Sequence, residues 1–196
     1  MKTGEMNKQL KLIYDRVSIR VFQPKKVENH LIEELLNAGI TAPTSGNMQP
    51  WEFIVIKDDA QKREIVTCTY FAYFSNGASY QNWIGNAGVI IVACANLKRT
   101  QARYGEDGKE WAQIDTAACI ENILIAAPAF GLAGCWVGGF NEEKLKGMLN
   151  IPSYVKPIGM LPIGYPKEFA ERKNRMPLKW MTHDGMYNIP YFKDEQ

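Results

Sequence analysis

Two groups of cationic side chains, one near each end of the chain, have the residue types that bind phosphate. Arg16, Ser18 and Arg20 alternate with apolar residues, so an extended backbone would turn both guanidinium groups and the hydroxyl to one side. The planar donor fork of arginine suits phosphate oxygens. An ordinary solvent-exposed strand edge is the alternative. The second group lies in the last thirty residues and consists of Lys167, Arg172, Lys173, Arg175 and Lys179.

Residues 41–51 form a loop rich in hydrogen-bonding groups between a helical pattern and a strand pattern. The loop contains two prolines, Pro43 and Pro50, and one glycine, Gly46, together with several hydroxyl and amide side chains. Such loops between rigid elements often hold ligands. The alternative is a helix C-cap followed by an Asx turn.

Two further segments could face a flat ligand. Gly138 and Gly139 follow an apolar run and would let the backbone approach a ring closely with its N–H groups exposed. This is neither a dinucleotide-binding fingerprint nor a P-loop. Residues 68–86 are rich in aromatic side chains, which would form either a lid over a planar ligand or part of the core.

Composition narrows the function classes. The chain has 196 residues, 46% of them hydrophobic, with a net charge of +2, which predicts one globular domain over residues 1–196 with no electrostatic reason to bind nucleic acid. No apolar run is long enough to span a membrane. The four cysteines form no metal-binding pattern and are expected to be buried free thiols. A cytoplasmic protein is expected, and no nucleophilic triad or paired-carboxylate arrangement is apparent.

Hydrophobic periodicity predicts the elements that position these residues. Helices are expected over residues 5–16, 28–41, 59–67, 111–127 and after Asn141, and strands over residues 53–56, 88–95, 131–140 and 157–165. Residues 98–109 are expected to be a polar loop. Pro162 predicts an edge or a bulge in its strand. Asp115 and Asn122 lie on one face of the longest helix and are expected to hold a neighbouring loop.

The order of the motifs resembles the FMN-dependent nitroreductase family from about residue 10 to residue 178. The family opens with Arg-x-Ser-x-Arg/Lys-x-Phe, continues with Ala-Pro-Ser-x-x-Asn-x-Gln-Pro-Trp and ends with Lys-x-Arg-x-Pro. The matching residues are Arg16, Ser18, Arg20 and Phe22, then Ala42, Pro43, Asn47, Gln49, Pro50 and Trp51, and finally Lys173, Arg175 and Pro177. Thr44 stands where serine is usual. The Gly-Leu to Gly-Gly-Phe segment and Gly-Tyr-Pro match residues 131–140 and 164–166.

The resemblance implies a cofactor site for FMN. Arg16, Ser18, Lys173 and Arg175 would bind its phosphate, and Val17 would add backbone contacts. Arg20 would lie near N1 and the C2 carbonyl of the flavin, where a cation stabilises the charge of the reduced ring.

The resemblance also implies a homodimer with FMN at the interface. The loop residues that would reach the partner's FMN are Pro43, Thr44, Ser45 and Asn47. Val137, Gly138 and Gly139 would contact the ring, with a backbone N–H near N5. Gly138 replaces a glutamate that some members carry, and Pro128 and Pro162 interrupt elements that the family usually leaves unbroken.

The implied fold is α+β, a three-layer α/β/α arrangement with a mainly antiparallel central sheet, although alternating helices and strands alone would suggest a parallel sheet. The implied activity is transfer of a hydride from NAD(P)H through flavin N5 to nitroaromatic or quinone-type small molecules. Alternatives are a specialised relative, of the reductive dehalogenase or flavin-fragmenting type, and a non-catalytic FMN carrier. The sequence leaves the acceptor and the choice between NADH and NADPH open.

Overall fold

The computed structural model describes residues 10–70, 80–168 and 170–192. Its helices are α1 (Lys11–Asp15), α2 (Asn29–Gly39), α3 (Asp59–Val66), α4 (Leu97–Tyr104), α5 (Asp107–Ala126) and α6 (Glu142–Leu149). Its strands are β1 (Trp51–Ile56), β2 (Val89–Asn96), β3 (Ala133–Gly134) and β4 (Val155–Gly164). Most predicted elements therefore exist close to their expected bounds.

The four strands form one sheet in the order β1-β2-β4-β3, and every neighbouring pair is antiparallel. Helices cover both faces of this sheet. The α+β class with an antiparallel central sheet is thus confirmed, and the parallel arrangement suggested by periodicity alone is wrong. The reason is that β4 lies between β2 and β3. The helical crossover from β2 to β3 therefore joins two strands that are not neighbours, and each neighbouring pair remains antiparallel.

Strand β2 forms the centre of the core because both of its faces are apolar. Val89, Ile91 and Ala93 pack on the side of α2 and α5, whereas Ile90 and Val92 pack on the side of α3 and α6. Alternation along a strand sends successive side chains to opposite faces. A strand without polar residues therefore requires cover on both faces, and this accounts for the three layers.

The predicted polar loop over residues 98–109 is wrong, because most of it is helical. Helix α4 ends at Tyr104, and Gly105 adopts the positive φ of 64° that lets the chain turn. Helix α5 then begins at Asp107. Gly108 lies in its first turn, where an added Cβ would be only 2.7 Å from the Thr100 carbonyl oxygen. The two glycines mark a tight helix–helix corner rather than a loop.

Strand β4 also differs from expectation. The expectation of an edge or bulge at Pro162 is wrong, because β4 lies between β2 and β3 and the register shift falls earlier, opposite Ala93 and Cys94. The Pro162 carbonyl oxygen accepts a hydrogen bond from the Cys135 amide at 3.3 Å and so points away from β2. In an antiparallel strand the N–H and the carbonyl of one residue point to the same side. The N–H that proline lacks would therefore have faced away from β2, and the hydrogen bonds between β2 and β4 are unaffected. Within residues 131–140, only β3 is a regular strand.

Three smaller expectations are confirmed. Asn141 caps α6, since its side chain accepts from the Lys144 amide at 2.9 Å. The four cysteines are free and buried. Helix α5 ends at Ala126 and continues through Pro128 as a short 3₁₀ turn. Among the described helices, none has both the length and the apolar character needed to cross a bilayer.

Candidate functional site

The first predicted cationic group and three of the five residues of the second line one cavity, whereas Lys167 and Lys179 do not line it. Arg16, Val17, Ser18 and Arg20 form one wall, and residues 170–175 form the other around a volume of about 150 Å³. Lys173 and Arg175 are both among the lining residues. Side chains more than 150 positions apart in sequence thus present their charges to the same small space.

Backbone pairing beside β3 and β4 brings the two ends of the chain together. The Ile19 amide donates to the Gly134 carbonyl at 3.0 Å, and the Lys167 amide donates to the Val21 carbonyl at 3.0 Å. The Gln23 amide donates to the Tyr165 carbonyl at 2.8 Å. The segment after α1 therefore runs beside the sheet, and the segment after β4 folds back along it.

Gly134 lies between strand β4 and the cationic segment that contains Ser18. A Cβ at this position would lie 2.8 Å from the Pro162 carbonyl oxygen and 2.9 Å from Cγ1 of Ile163. Ser18 forms a bridge with Gly134 on its other side. Glycine therefore lets β4 pack closely against this residue, while Ser18 pairs with the same residue at the wall of the cavity.

Glu121 of α5 holds Arg16 in place, a contact that the sequence analysis missed. Nε of Arg16 lies 3.1 Å from Oε1 of Glu121, and the Arg16 side chain is 22% exposed. Because the carboxylate takes Nε, the two terminal nitrogens of the guanidinium group remain for an anion in the cavity. Glu121 directly precedes Asn122 and follows Asp115 by six residues on helix α5, and this group of polar residues on a largely buried helix was the available signal.

The loop over residues 41–51 has an unusual backbone that helix α4 supports. Gly46, Asn47 and Gln49 have positive φ angles of 56°, 59° and 47°. Arg103 donates to the Gly46 carbonyl at 3.1 Å, and Arg99 donates to the Gln49 carbonyl at 2.9 Å. Such angles strain residues other than glycine, so the arginine contacts fix a conformation that the loop alone would not keep.

Helix α5 holds the same loop from its other side. Asp115 accepts from the Ser45 amide at 2.9 Å and from its hydroxyl at 3.2 Å. The Asn122 side chain donates to the Thr41 hydroxyl at 3.3 Å. The expectation that Asp115 and Asn122 hold a neighbouring loop is confirmed.

Of the four loop residues predicted to reach a partner's cofactor, two have their side chains engaged within the loop. The Thr44 hydroxyl accepts from the Gln49 amide at 3.2 Å, and Oδ1 of Asn47 accepts from Nε2 of Gln49 at 3.3 Å. Pro43 and Asn47 are exposed. No residue of this loop lines the cation-lined cavity.

The glycine turn lies at a third location. Val137 is buried and exchanges backbone hydrogen bonds with Met160, at 2.9 and 3.0 Å. Gly138 is exposed and lines a different cavity, of about 290 Å³. Within the described residues, the N–H groups of Gly138 and Gly139 donate to no acceptor, so they are free to meet a ligand.

The aromatic segment is partly outside the described residues, which omit residues 71–79. Trp83 packs against two clusters of buried apolar residues. The centre of its ring lies 6.4 Å from that of Phe22, and the Arg20 guanidinium lies 5.7 Å from the centre of the Trp83 ring. Trp83 therefore matches the core alternative. Tyr70 and Tyr80 are 43% and 45% exposed.

Comparisons with known proteins agree with this arrangement. Residues 13–165 match the model of the Nitroreductase family. A protein of Archaeoglobus fulgidus with the provisional name NADH dehydrogenase/NAD(P)H nitroreductase is 34% identical over 167 residues, covering 83% of this chain and 88% of that protein. The FMN reductase (NADPH) of Bacillus subtilis is 28% identical, covering 94% and 76%. The solved structure of the B. subtilis nitroreductase NfrA1 superimposes with a TM-score of 0.78 at 26% identity, covering 94% and 76%.

Proposed function

We propose that this chain, which belongs to the Nitroreductase family, is an oxidoreductase that binds FMN, takes electrons from NAD(P)H and reduces nitroaromatic or quinone-type acceptors. One observation carries the proposal: cationic side chains from both ends of the chain line a single cavity with a hydroxyl beside them. The FMN reductase (NADPH) and the nitroreductase NfrA1 of B. subtilis, both similar to this chain, support the proposal.

The charge of the cavity suits a phosphate monoester. Five of its side chains are cationic and one, Glu171, is acidic, and the cations are Arg16, Arg20, Arg172, Lys173 and Arg175. A phosphate monoester carries a charge of about −1.5 to −2 at neutral pH and three acceptor oxygens. The forked donors of arginine and the hydroxyl of Ser18 can satisfy these oxygens together. The residues present therefore fit the phosphate end of FMN.

The remaining residues would orient the cofactor and tune its surroundings. Bound FMN would supply the redox chemistry, since it can accept a hydride and pass electrons onward. Arg20 is exposed at the edge of the cavity, where it would stabilise negative charge on a reduced ring. The free N–H groups of Gly138 and Gly139 would donate to the ring. No side chain needs to act as a nucleophile.

A second copy of the chain would complete the site. Helix α5 exposes Trp111 and Ile114, at 38% and 59%, beside Ser45. The C-terminal segment exposes further large apolar side chains, namely Met176, Leu178, Trp180, Met186, Tyr187 and Tyr191. Exposed apolar surface on this scale commonly marks an interface. In a homodimer, the loop bearing Pro43, Thr44, Ser45 and Asn47 would reach the partner's FMN.

The decisive experiment measures cofactor retention and reduction. Purified protein should be yellow, and Arg16→Ala or Arg175→Ala should weaken FMN binding by at least about tenfold, because each removes a charge-assisted contact. Lys109→Ala is a matched control, since Lys109 pairs with Glu106 at the start of α5. Colourless protein that added FMN neither colours nor stabilises would overturn the proposal.

Rapid mixing with NADH or NADPH separates an enzyme from a carrier. An enzyme loses the yellow colour of the oxidised flavin at the rate of turnover, whereas a carrier would hold FMN without fast reduction. A panel of nitroaromatic, quinone and halogenated acceptors then separates the proposed activity from that of a dehalogenating relative.

A further inference from the structure

A second cation-lined cavity lies next to the proposed phosphate site. Its volume is about 620 Å³, and residues 20–26, 59–63 and 83–88 contribute most of its walls. Six cationic side chains and one carboxylate line it, namely Arg20, Lys25, Lys26, Lys62, Arg63 and Lys167 with Asp59. A cavity with five excess positive charges raises the local concentration of anions.

Three of these cations make no direct contact with an acidic side chain of the described residues. Within the described parts of the chain, Lys26, Arg63 and Lys167 form no ion pair and no side-chain hydrogen bond. Lys25, by contrast, pairs with Glu28 at 3.5 Å and lies 3.7 Å from the centre of the Tyr165 ring. Lys26 and Arg63 lie close enough to Asp59 to interact with it electrostatically, but that carboxylate is already hydrogen-bonded to Lys62. The cavity therefore keeps an excess of positive charge for a ligand.

One cation is fixed inside the wall. Lys62 is only 4% exposed, and its ammonium group donates to the Ala87 carbonyl at 2.6 Å and to Asp59 at 2.9 Å. Burying an ammonium group costs free energy unless it is paired. The Asp59 carboxylate supplies the pairing, and the pKa of Asp59 lies below its usual value because Lys62 hydrogen-bonds to it. The ion pair of Lys62 with Asp59 stabilises this wall of the cavity, and the other cations line the cavity around the pair.

The cavity also offers an aromatic surface and a link to the first site. Trp83 lines it and is half-buried. Arg20 lines both cavities, so a molecule that meets a flavin near Arg20 could extend directly into the larger space. An aromatic plane among unpaired cations is the usual recognition set for a phosphorylated nucleotide.

We propose that this second cavity binds the phosphorylated adenosine half of the electron donor, so that the enzyme uses NADPH in preference to NADH. The inference rests on the proposed function, because it assigns the donor's place relative to the flavin. NADPH carries a 2′-phosphate monoester, about −1.5 to −2 in charge, that NADH lacks. Lys26, Arg63 and Lys167 are the side chains that discriminate between the two donors.

A binding experiment tests the site without turnover. Isothermal titration of 2′,5′-ADP and of 5′-AMP into the FMN-loaded protein should show the bisphosphate binding at least about tenfold more tightly, with an advantage that shrinks as salt screens the charges. The double variant Lys26→Ala/Arg63→Ala should lose most of that advantage. Equal affinity for the two nucleotides, or an unchanged advantage in the double variant, overturns the inference.

Steady-state kinetics identify the donor as the occupant. The double variant should raise the KM for NADPH by about tenfold while the KM for NADH and the kcat change by less than about threefold, since only the 2′-phosphate loses its partners. Lys109→Ala removes one charge outside both cavities and should change neither KM. A rise in the KM for free FMN as acceptor, with an unchanged KM for NADPH, would show that the cavity serves the acceptor and would refute the assignment.

The two proposals fail in different ways. A protein that neither donor reduces would refute the proposed function, and the titration with 2′,5′-ADP would still decide whether the cavity binds nucleotide phosphate. A protein that both donors reduce equally well would keep the proposed function and reject the NADPH preference. Because Lys26 and Arg63 are exposed and their attraction to Asp59 is screened by solvent, the double variant should retain the thermal stability of the natural protein.

Discussion

Asp115 accepts two hydrogen bonds from Ser45, one from the backbone amide at 2.9 Å and one from the hydroxyl at 3.2 Å. Asp115 is only 7% exposed, and 70 residues separate it from Ser45. One carboxylate thus connects the longest helix to the loop proposed to meet a partner's cofactor. The contact makes the loop part of the folded core of its own subunit.

Asp115→Ala should destabilise the protein and release this loop. It leaves the Ser45 amide without its partner in a partly buried position, which costs about 1–3 kcal/mol in the free energy of unfolding. Ser45→Ala is the matched comparison, because it removes the hydroxyl and keeps the amide bond, and it should cost less than about 1.5 kcal/mol. Urea denaturation of both variants measures the difference. Equal losses of unfolding free energy in the two variants would show that the hydrogen bond from the Ser45 amide to Asp115 contributes little.

Glu121 should act on FMN affinity through the position of Arg16. Glu121→Ala removes the acceptor of the Arg16 Nε–H and should weaken FMN binding about three- to tenfold, because the guanidinium group loses its orientation. Glu121→Gln keeps an acceptor oxygen and should bind FMN as tightly as the natural protein or more so, since it removes a negative charge near the phosphate. Fluorescence titration of the apoprotein with FMN distinguishes them. Tighter binding in both variants would refute the positioning role.

Gly134→Ala and Gly138→Ala should have opposite outcomes. The first places a Cβ 2.8 Å from the Pro162 carbonyl oxygen, and because backbone cannot move aside cheaply, it should cost about 1–3 kcal/mol. The second meets no atom within 4 Å and should be neutral or slightly stabilising. Thermal unfolding measures both changes. An undisturbed Gly134→Ala variant would contradict the close packing of Gly134 against Pro162 of β4.

The buried thiols should make stability fall at high pH. Burial raises the pKa of Cys94 and of Cys119 from 9.0 to about 12. Below about pH 9 both the folded and the unfolded chain hold these protons, and between about pH 9 and 12 the unfolded chain loses them first. The free energy of unfolding should therefore decrease with rising pH over that window, by about 2 kcal/mol per thiol near pH 10.5.

The control for this pH dependence is the double variant Cys94→Ala/Cys119→Ala. It should be less stable at neutral pH, because it removes two buried sulfurs, yet its stability should decline less between pH 9 and 11. Chemical denaturation at several pH values gives both slopes. Parallel slopes for the two proteins would rule out the thiols as the cause.

The sequence was informative where local pattern and tertiary burial agree. Strand β2 has an unbroken apolar run because both of its faces are covered, and Asn141 precedes α6 because its side chain caps the first turn. The corner between α4 and α5 was misread because Gly105 and Gly108 resemble loop residues. There, glycine serves a sharp helix end and a close helix contact, and only the packing of α4 on α5 distinguishes this from a loop.

The site was less predictable than the fold. Alternation from Arg16 to Arg20 indicated which side chains share a face, but only the resemblance to a family connected them with Lys173 and Arg175. No local pattern records that the segment after β4 returns along the segment after α1. The contacts of Glu121 with Arg16 and of Lys62 with Ala87 escaped notice for the same reason, since each joins distant parts of the chain.

The phosphate cavity draws its two walls from residues 16–20 and 170–175, and this has a consequence for biosynthesis. Residues 170–175 are synthesised about 150 residues after residues 16–20, so a nascent chain that has only the first wall carries two of the five cations. Capture of FMN would then wait for the second wall, and the yellow colour of the protein would report that both walls are in place.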